Sequence, residues 1–114
     1  MRLGTAVFFT LLATAAAAQD CETIRFSPGE TGAFVEGQAP AEGSQCFSVD
    51  LRPGQNFFAE IVAGQEDIAI SIPGIGDNRG RFEFVADASR YELWVHQTFR
   101  AVQAAPFTML VKIE

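Results

Sequence analysis

The chain has few of the residues from which metal, redox or nucleic-acid sites are built. It contains two cysteines, one histidine (His96) and one lysine (Lys112). Two cysteines and one histidine fall short of the four ligands of a structural zinc site. The cysteines are not spaced as the Cys-x-x-Cys pair that lowers a thiol pKa for redox chemistry. Seven arginines and one lysine, none of them in a run, argue against a nucleic-acid-binding protein.

Signatures of catalysis are equally scarce. No Gly-x-Ser-x-Gly nucleophile elbow is present, and Gly74-Ile75-Gly76 has no following helix that would make it a phosphate cradle. The acidic pair Glu66-Asp67 lacks the spacing of a calcium loop, so we interpret it as a solvated turn. A small hydrolase would need a nucleophile, a base and an orienting group, and only His96 offers a base of the usual kind. We predict no catalytic residue, no metal and no cofactor.

Long apolar runs are missing except at the start, where residues 5–18 are apolar apart from threonines. A basic start, this run and Ala16-Ala17-Ala18 together form the three parts of a secretory signal. About 14 residues of helix span roughly 21 Å, which is too short for a membrane anchor. Asp20 directly before Cys21 argues against a lipoprotein. We therefore predict a signal peptide over 1–18 and a soluble, periplasmic or secreted mature domain over 19–114.

An exported chain with an even number of cysteines predicts a disulfide, here Cys21–Cys46. Closing a loop of about 25 residues stabilises a fold by ~3 kcal/mol in the chain-entropy model. Without Arg2 the mature chain has seven basic and 14 acidic residues, a net charge of about −7. Such a charge repels nucleic acid and anionic membranes. It serves solubility, and it would also attract a basic protein partner.

The mature part alternates apolar and polar residues with the period of β-strands. In 90–97, for example, Tyr91, Leu93 and Val95 share one face, and Trp94 and His96 the other. Arg52-Pro53-Gly54-Gln55 reads as a tight turn, which predicts a hairpin of the strands on either side. The strands predicted in this way are 23–26, 33–36, 45–51, 56–62, 67–72, 81–85, 90–97 and 107–113, with 73–78 as a break. About eight short strands predict an all-β fold, an antiparallel β-sandwich or jelly roll with one disulfide.

The last two strands carry the residues that we expect to bind a partner. The segment 96–106 is longer than a tight turn requires, and long loops on a rigid sandwich commonly carry binding. With Trp94 on the solvent side of its strand, we predict a protein-binding patch of Trp94, His96, Phe99 and Arg100. The alternative is a central sheet covered by the N-terminal segment, which would bury Trp94.

The strand sequences resemble two families of exported β-proteins. Their likeness covers about Cys46 to Ile113 and lies in the segments Cys46-Phe47-Ser48-Val49-Asp50-Leu51-Arg52-Pro53-Gly54-Gln55, Ile70-Ser71-Ile72-Pro73-Gly74, Tyr91-Glu92-Leu93-Trp94-Val95 and Phe107-Thr108-Met109-Leu110-Val111. They resemble the bacterial pre-peptidase C-terminal β-sandwich domain, which implies a non-catalytic accessory role. They are also similar to the periplasmic inhibitors of goose-type lysozyme, which implies a protein that plugs a lysozyme cleft with its loops. Arg100 matches an arginine after the Tyr-bearing strand of that family.

Two hypotheses follow. The first is an exported, non-catalytic binding module, in its sharper version a periplasmic protein-protein inhibitor of the lysozyme-inhibitor kind. The second is a structural or chaperone-like component of the cell envelope, which would assemble through sheet edges or through the Trp94 patch.

Overall fold

A computed structural model describes residues 20–114 as two β-sheets packed face to face. The predicted signal peptide lies outside the described residues. The strands are β1 (Glu22–Thr23), β2 (Gly32–Ala39), β3 (Gln45–Asp50), β4 (Asn56–Gly64), β5 (Ile68–Ile72), β6 (Gly76–Arg79), β7 (Arg81–Val85), β8 (Arg90–Gln97) and β9 (Ala105–Ile113). This is the predicted all-β class. None of residues 20–114 forms a helix with the length and hydropathy that a membrane crossing requires.

The two sheets have five and four strands. In the first sheet the order is β1-β3-β8-β5-β6, and in the second it is β2-β9-β4-β7. Neighbouring strands are antiparallel everywhere except β1 and β3, which are parallel. The chain crosses between the sheets repeatedly, so that β8 and β9, which are consecutive in sequence, lie at the centres of opposite sheets.

Alternation along each strand places one set of side chains between the sheets. On β8, Tyr91, Leu93 and Val95 are buried, whereas the residues between them are half-buried on the outer face. Residues 20–114 contain nine phenylalanines, and several of these supply the bulk of the core. The largest fully buried side chains are Phe47, Phe57, Phe82, Ile70, Ile72, Leu93, Met109, Val49, Val95 and Val111. A domain this small needs such large apolar groups, since it buries a modest fraction of its unfolded surface.

The predicted hairpin around Pro53 is wrong, although its turn is correct. Gln55 donates its backbone N–H to the carbonyl of Arg52 (3.1 Å), and Gly54 has the positive φ of 97° that the turn requires. The strands on either side lie in different sheets, however. Strand β3 pairs with β1 and β8, and β4 pairs with β7 and β9. A tight turn fixes the direction of the chain locally, whereas pairing is decided by which partner covers each apolar face.

The predicted break over 73–78 contains the start of a strand that the pattern did not reveal. Ile75 donates its N–H to the carbonyl of Ile72 (2.9 Å), which turns the chain back so that β6 pairs with β5. Strand β6 is an edge strand of Gly76, Asp77, Asn78 and Arg79, with no buried side chain. Without an apolar face it has no alternation to detect.

The predicted Cys21–Cys46 disulfide is confirmed. It joins the start of the described chain to β3, and β1 then runs parallel to β3 with Glu22 beside Phe47. Ile24 continues the pairing through its N–H to the carbonyl of Ser48 (2.8 Å) and is buried in the core. The disulfide therefore holds a two-residue strand that would otherwise fray at the edge of its sheet.

Candidate functional site

Loops from three parts of the chain meet at one end of the sandwich. The side-chain amide of Gln97, at the end of β8, donates to the backbone carbonyls of Ala39 (3.1 Å), Pro40 (3.3 Å) and Gln103 (3.0 Å). The next residue, Thr98, donates its N–H to the carbonyl of Asp67 (2.9 Å) in the connection from β4 to β5. These bonds fix the β8–β9 loop (98–104) against the chain after β2 and the chain before β5.

This fixed loop presents apolar side chains to solvent. Phe99 is 72% exposed and Val102 is 97% exposed. Neither contributes to the core, so neither is explained by the stability of the fold. Arg100 stands between them in sequence, also exposed. Exposed apolar side chains that lie together are typical of interaction surfaces, and arginine is enriched among the residues that contribute most to protein–protein binding.

An open groove of about 690 Å³ runs between this loop and the β4–β5 connection. One wall is formed by Phe99, Arg100 and neighbouring loop residues, and the other by Gln65, Glu66 and Asp67. Because it is shallow and open, the groove suits the edge of a protein partner better than a small molecule, which needs a more enclosed pocket.

The loop end carries one unpaired cation beside carboxylates. Within residues 20–114 the Arg100 guanidinium has no hydrogen bond or ion pair, although Glu66 and Asp67 line the same groove. The two ion pairs among the described residues lie elsewhere, Arg81 with Glu83 and Arg90 with Asp50. An exposed arginine without a partner keeps all five donors available for a carboxylate on another protein.

The structure divides the four residues of the predicted patch into two groups. Phe99 and Arg100 lie together on the groove. Trp94 and His96 lie on the outer face of the first sheet and do not line the groove. Trp94 is half-buried and donates its indole N–H to Glu92 Oε1 (3.2 Å). Neither full exposure nor full burial of Trp94 is correct, and a role for it in binding stays a prediction.

His96 belongs to a hydrogen-bonded group that holds the sheet edge. Its Nε2 lies 3.1 Å from Ser71 Oγ on the neighbouring strand. Ser71 Oγ accepts the backbone N–H of Asn78 (3.0 Å), so its own proton is available for Nε2. Asn78 has a positive φ of 56°, and this bond helps to fix it on β6. The contacts of His96 thus link β8, β5 and β6.

One cluster contains residue types that bind metals, but its sulfurs are not free to bind one. A ligand atom from each of Cys21, Cys46 and Glu92 lies within 4.8 Å of the others. The two sulfurs are joined in the disulfide, so neither is a thiolate, and one carboxylate does not hold an ion. These residues do not fit a metal centre.

Sequence reasoning identified the β8–β9 segment but missed three of its features. Val102 lies in a loop without strand alternation. The signal that could have identified it is an apolar residue in a loop that does not pack on the core. The bracing by Gln97 depends in part on the carbonyls of Ala39 and Pro40, which are 58 and 57 residues away in sequence and which no local pattern reveals. The sequence indicates only a solvated turn at the facing acidic pair Glu66-Asp67, and the place of this pair on the groove follows from the topology.

Comparison with known proteins gives a consistent set of structural neighbours. The chain resembles PliG of Aeromonas hydrophila, a periplasmic lysozyme inhibitor of g-type lysozyme, with 20% identity over 82% of this chain and 96% of that chain, at a TM-score of 0.73. It also resembles PliG of Salmonella Typhimurium, a periplasmic lysozyme inhibitor of g-type lysozyme, with 19% identity over 85% of this chain and 100% of that chain, at a TM-score of 0.66. A mutant of PliG from Escherichia coli, also a periplasmic lysozyme inhibitor of g-type lysozyme, has 19% identity over 85% of this chain and 100% of that chain, at a TM-score of 0.65. No protein-family model and no curated relative matches the chain. At these identities the likeness establishes the fold.

Proposed function

We propose that this chain is an exported, non-catalytic inhibitor that binds a lysozyme of the g-type through its β8–β9 loop. One observation carries the proposal. The fold covers 96–100% of the length of three structural neighbours that are periplasmic inhibitors of g-type lysozyme. The strand motifs of the sequence resemble the same class of inhibitors and support the proposal in the same direction.

The chemistry of the loop end supports the proposal. Glycoside hydrolases hold carboxylates on either side of the scissile bond, in a cleft open to a polymer. Arg100 is an unpaired cation that would pair with such a carboxylate. Phe99 and Val102 would cover apolar parts of the cleft wall. The hydrogen bonds of Gln97 would hold the loop in an ordered conformation before it binds. A pre-ordered loop binds more tightly because less conformational entropy is lost.

Export is part of the proposal. The apolar run at 5–18 and the alanines at 16–18 have the form of a cleavable signal, and a disulfide is stable in an oxidising compartment. We place the mature protein, 19–114, in the periplasm or outside the cell. A g-type lysozyme acting on the cell wall would meet it there.

Absence of catalysis is the third part. The single histidine is hydrogen-bonded to the hydroxyl of Ser71, and the same hydroxyl accepts the backbone N–H of Asn78. The exposed groove carries carboxylates and a guanidinium that suit recognition. The resemblance to the pre-peptidase C-terminal domain agrees with a non-catalytic role and stays a prediction based on sequence alone.

Lysis of suspended bacterial cells by a g-type lysozyme, followed by turbidity, tests the site. The mature protein is expected to slow lysis, and Arg100→Glu to raise the half-inhibiting concentration by about 30-fold, the equivalent of about 2 kcal/mol for a central arginine. Arg90→Glu is the matched control. Arg90 is also exposed, lies at the opposite end of β8, and loses a 3.5 Å surface ion pair of small energy.

The outcomes distinguish the proposed site from the proposed function. Equal inhibition by the Arg100→Glu and wild-type proteins would place the contact elsewhere on the fold. No inhibition by the wild-type protein would reject the lysozyme proposal and leave the structural or chaperone-like envelope role as the leading hypothesis.

A further inference from the structure

Strand β2 forms one edge of its sheet, and Glu36 is its one charged residue. Natural proteins shield long edge strands with lysine, proline, bulges or covering segments, because an open edge pairs with other chains. The eight residues of β2 include no lysine and no proline, and they pair regularly with β9 from Gly32 to Ala39. The outer strands at the other sheet edges are shorter, with two, four and five residues.

The free backbone groups of β2 can be assigned from its pairing. Ile113 donates to the carbonyl of Thr31 (2.7 Å), so odd-numbered residues of this segment bond to β9. In an antiparallel ladder the residues between them direct N–H and C=O away from the partner. Gln38 agrees, since its N–H is bonded to the side chain of Gln45 (2.9 Å) on the outer side. Phe34 and Glu36 therefore present their backbone groups to the open edge.

There is room along this edge for another strand. Two grooves of about 470 and 690 Å³ follow β2 on its outer side, and both are lined by Arg25, Ala33 and Phe34. The first lies between β2 and the segment 22–25, and the second continues to the turn before β2. No described segment of the chain fills either groove.

The side chains at the edge are suited to a second copy of the same strand. Phe34 is 71% exposed on the outer face of its sheet, beside Leu110 of β9. Gly32 lies beside Lys112, whose Cγ is 3.2 Å from the position that a Cβ on Gly32 would occupy. The lysine stem passes beside the glycine, and its ammonium lies 4.8 Å from the centroid of the Phe58 ring on β4, on the side of β9 away from the open edge.

We infer that this edge is a self-association surface, at which β2 pairs antiparallel with β2 of a second copy about a two-fold axis at Phe34. Phe34 then lies opposite Phe34 of the second copy, and the apolar side chains form a stripe with Leu110 of each copy. Glu36 lies opposite Gly32 of the second copy, and the ammonium of its Lys112 reaches Glu36 when the lysine side chain swings from Phe58 across the glycine. The symmetry produces two such ion pairs.

The chemistry favours a second copy over an unrelated strand. The pairing uses the outward backbone groups of Phe34, an aromatic cross-strand pair, and opposite charges that meet twice. Moving the axis by one residue to Val35 would keep the backbone bonds but put Phe34 opposite Glu36, which loses the aromatic pair and the ion pairs. A contact made by one strand edge buries less surface than a stable dimer needs, so the dimer is weak and forms at high protein concentration. The inference does not depend on the proposed inhibition.

Sedimentation velocity of the mature protein from micromolar to millimolar concentration measures the association directly. We expect reversible dimers at the upper end and a rise of about tenfold or more in the dissociation constant for Phe34→Ser. Val85→Ser is the control, since Val85 is 62% exposed on the edge strand β7 of the same sheet. A wild-type protein that stays monomeric at millimolar concentration, or a dimer weakened equally by both variants, overturns the inference.

A charge exchange identifies the partner as a second copy. Glu36→Lys and Lys112→Glu are each expected to weaken the dimer, and the double exchange to restore it, because Glu36 is paired in register with Thr108, not with Lys112, within its own chain. Thermal unfolding of each variant checks folding, since Lys112→Glu also removes a contact with Phe58. Backbone amides of Phe34 and Glu36 should exchange more slowly as concentration rises. Failure of the double exchange to restore dimers, with all variants folded, rejects this register.

Discussion

Gln97 connects the stability of the sandwich to the position of its exposed loop. Its Nε2 has two protons and lies within 3.0–3.3 Å of three carbonyl oxygens, so about two hydrogen bonds are made at a time. A hydrogen bond of this kind contributes about 0.5–1.5 kcal/mol net. Two of the acceptors are only partly buried and can bind water instead. We therefore expect Gln97→Ala to lower the free energy of unfolding by about 1–2 kcal/mol.

Thermal unfolding and lysozyme inhibition measure the two consequences. For a domain of this size that loss corresponds to a decrease of about 5–12 °C in Tm. Inhibition should weaken more than the small unfolded fraction explains, because Phe99 and Arg100 would sample orientations that the amide now excludes. Gln97→Glu keeps the size of the side chain but places a carboxylate against the carbonyls, so its effect should be at least as large.

Gln103→Ala serves as the matched control, because it shortens a glutamine of the same loop whose backbone carbonyl, not its side chain, takes part in the bracing. It should leave the Tm nearly unchanged and weaken inhibition less than Gln97→Ala does, because the bracing stays intact. A Gln97→Ala protein with wild-type Tm and wild-type inhibition would refute the idea that this amide positions the loop.

Two further predictions concern the core and the disulfide. Burial raises the pKa of Tyr91, whose hydroxyl donates to Asp87 Oδ1 (2.8 Å). The stability that the neutral phenol provides is therefore present below its ordinary pKa of 10.0. It is lost as the pH rises through the higher pKa of the folded state. Urea unfolding should show Tyr91→Phe less stable by about 1–3 kcal/mol at neutral pH, with a smaller alkaline loss than wild type. Replacing Cys21 and Cys46 together by serine should cost about 3 kcal/mol by the same measurement; no loss would mean that the closed loop is already restricted in the unfolded chain.

The strands that sequence predicted well are those with one buried face. For β7 and β8 the predicted and observed bounds coincide, since every second residue is apolar. Strand β6 was missed because an exposed edge strand needs no alternation. The false hairpin at Pro53 shows the same limit in another form. Local sequence patterns predict the turn and the buried face of each strand. The strands with which β3 and β4 pair are decided by packing across the whole sandwich.

The candidate site was predictable in its position and less so in its composition. A segment too long for a turn, with Phe99 and Arg100, indicated the loop, and the structure places both on one groove. Trp94 and His96 were grouped with them because they are close in sequence. The end of β8 separates the sheet face from the loop, and hydrogen bonds to Glu92 and Ser71 hold both side chains on the sheet.

Titration calorimetry of the mature protein with a g-type lysozyme tests the central claim most directly. We expect 1:1 binding that Arg100→Glu weakens and Arg90→Glu does not, together with slower lysis in proportion to the fraction of enzyme bound. A lysozyme of another type provides the comparison for specificity. Absence of heat at excess protein, with lysis by the g-type enzyme undiminished, would contradict the account.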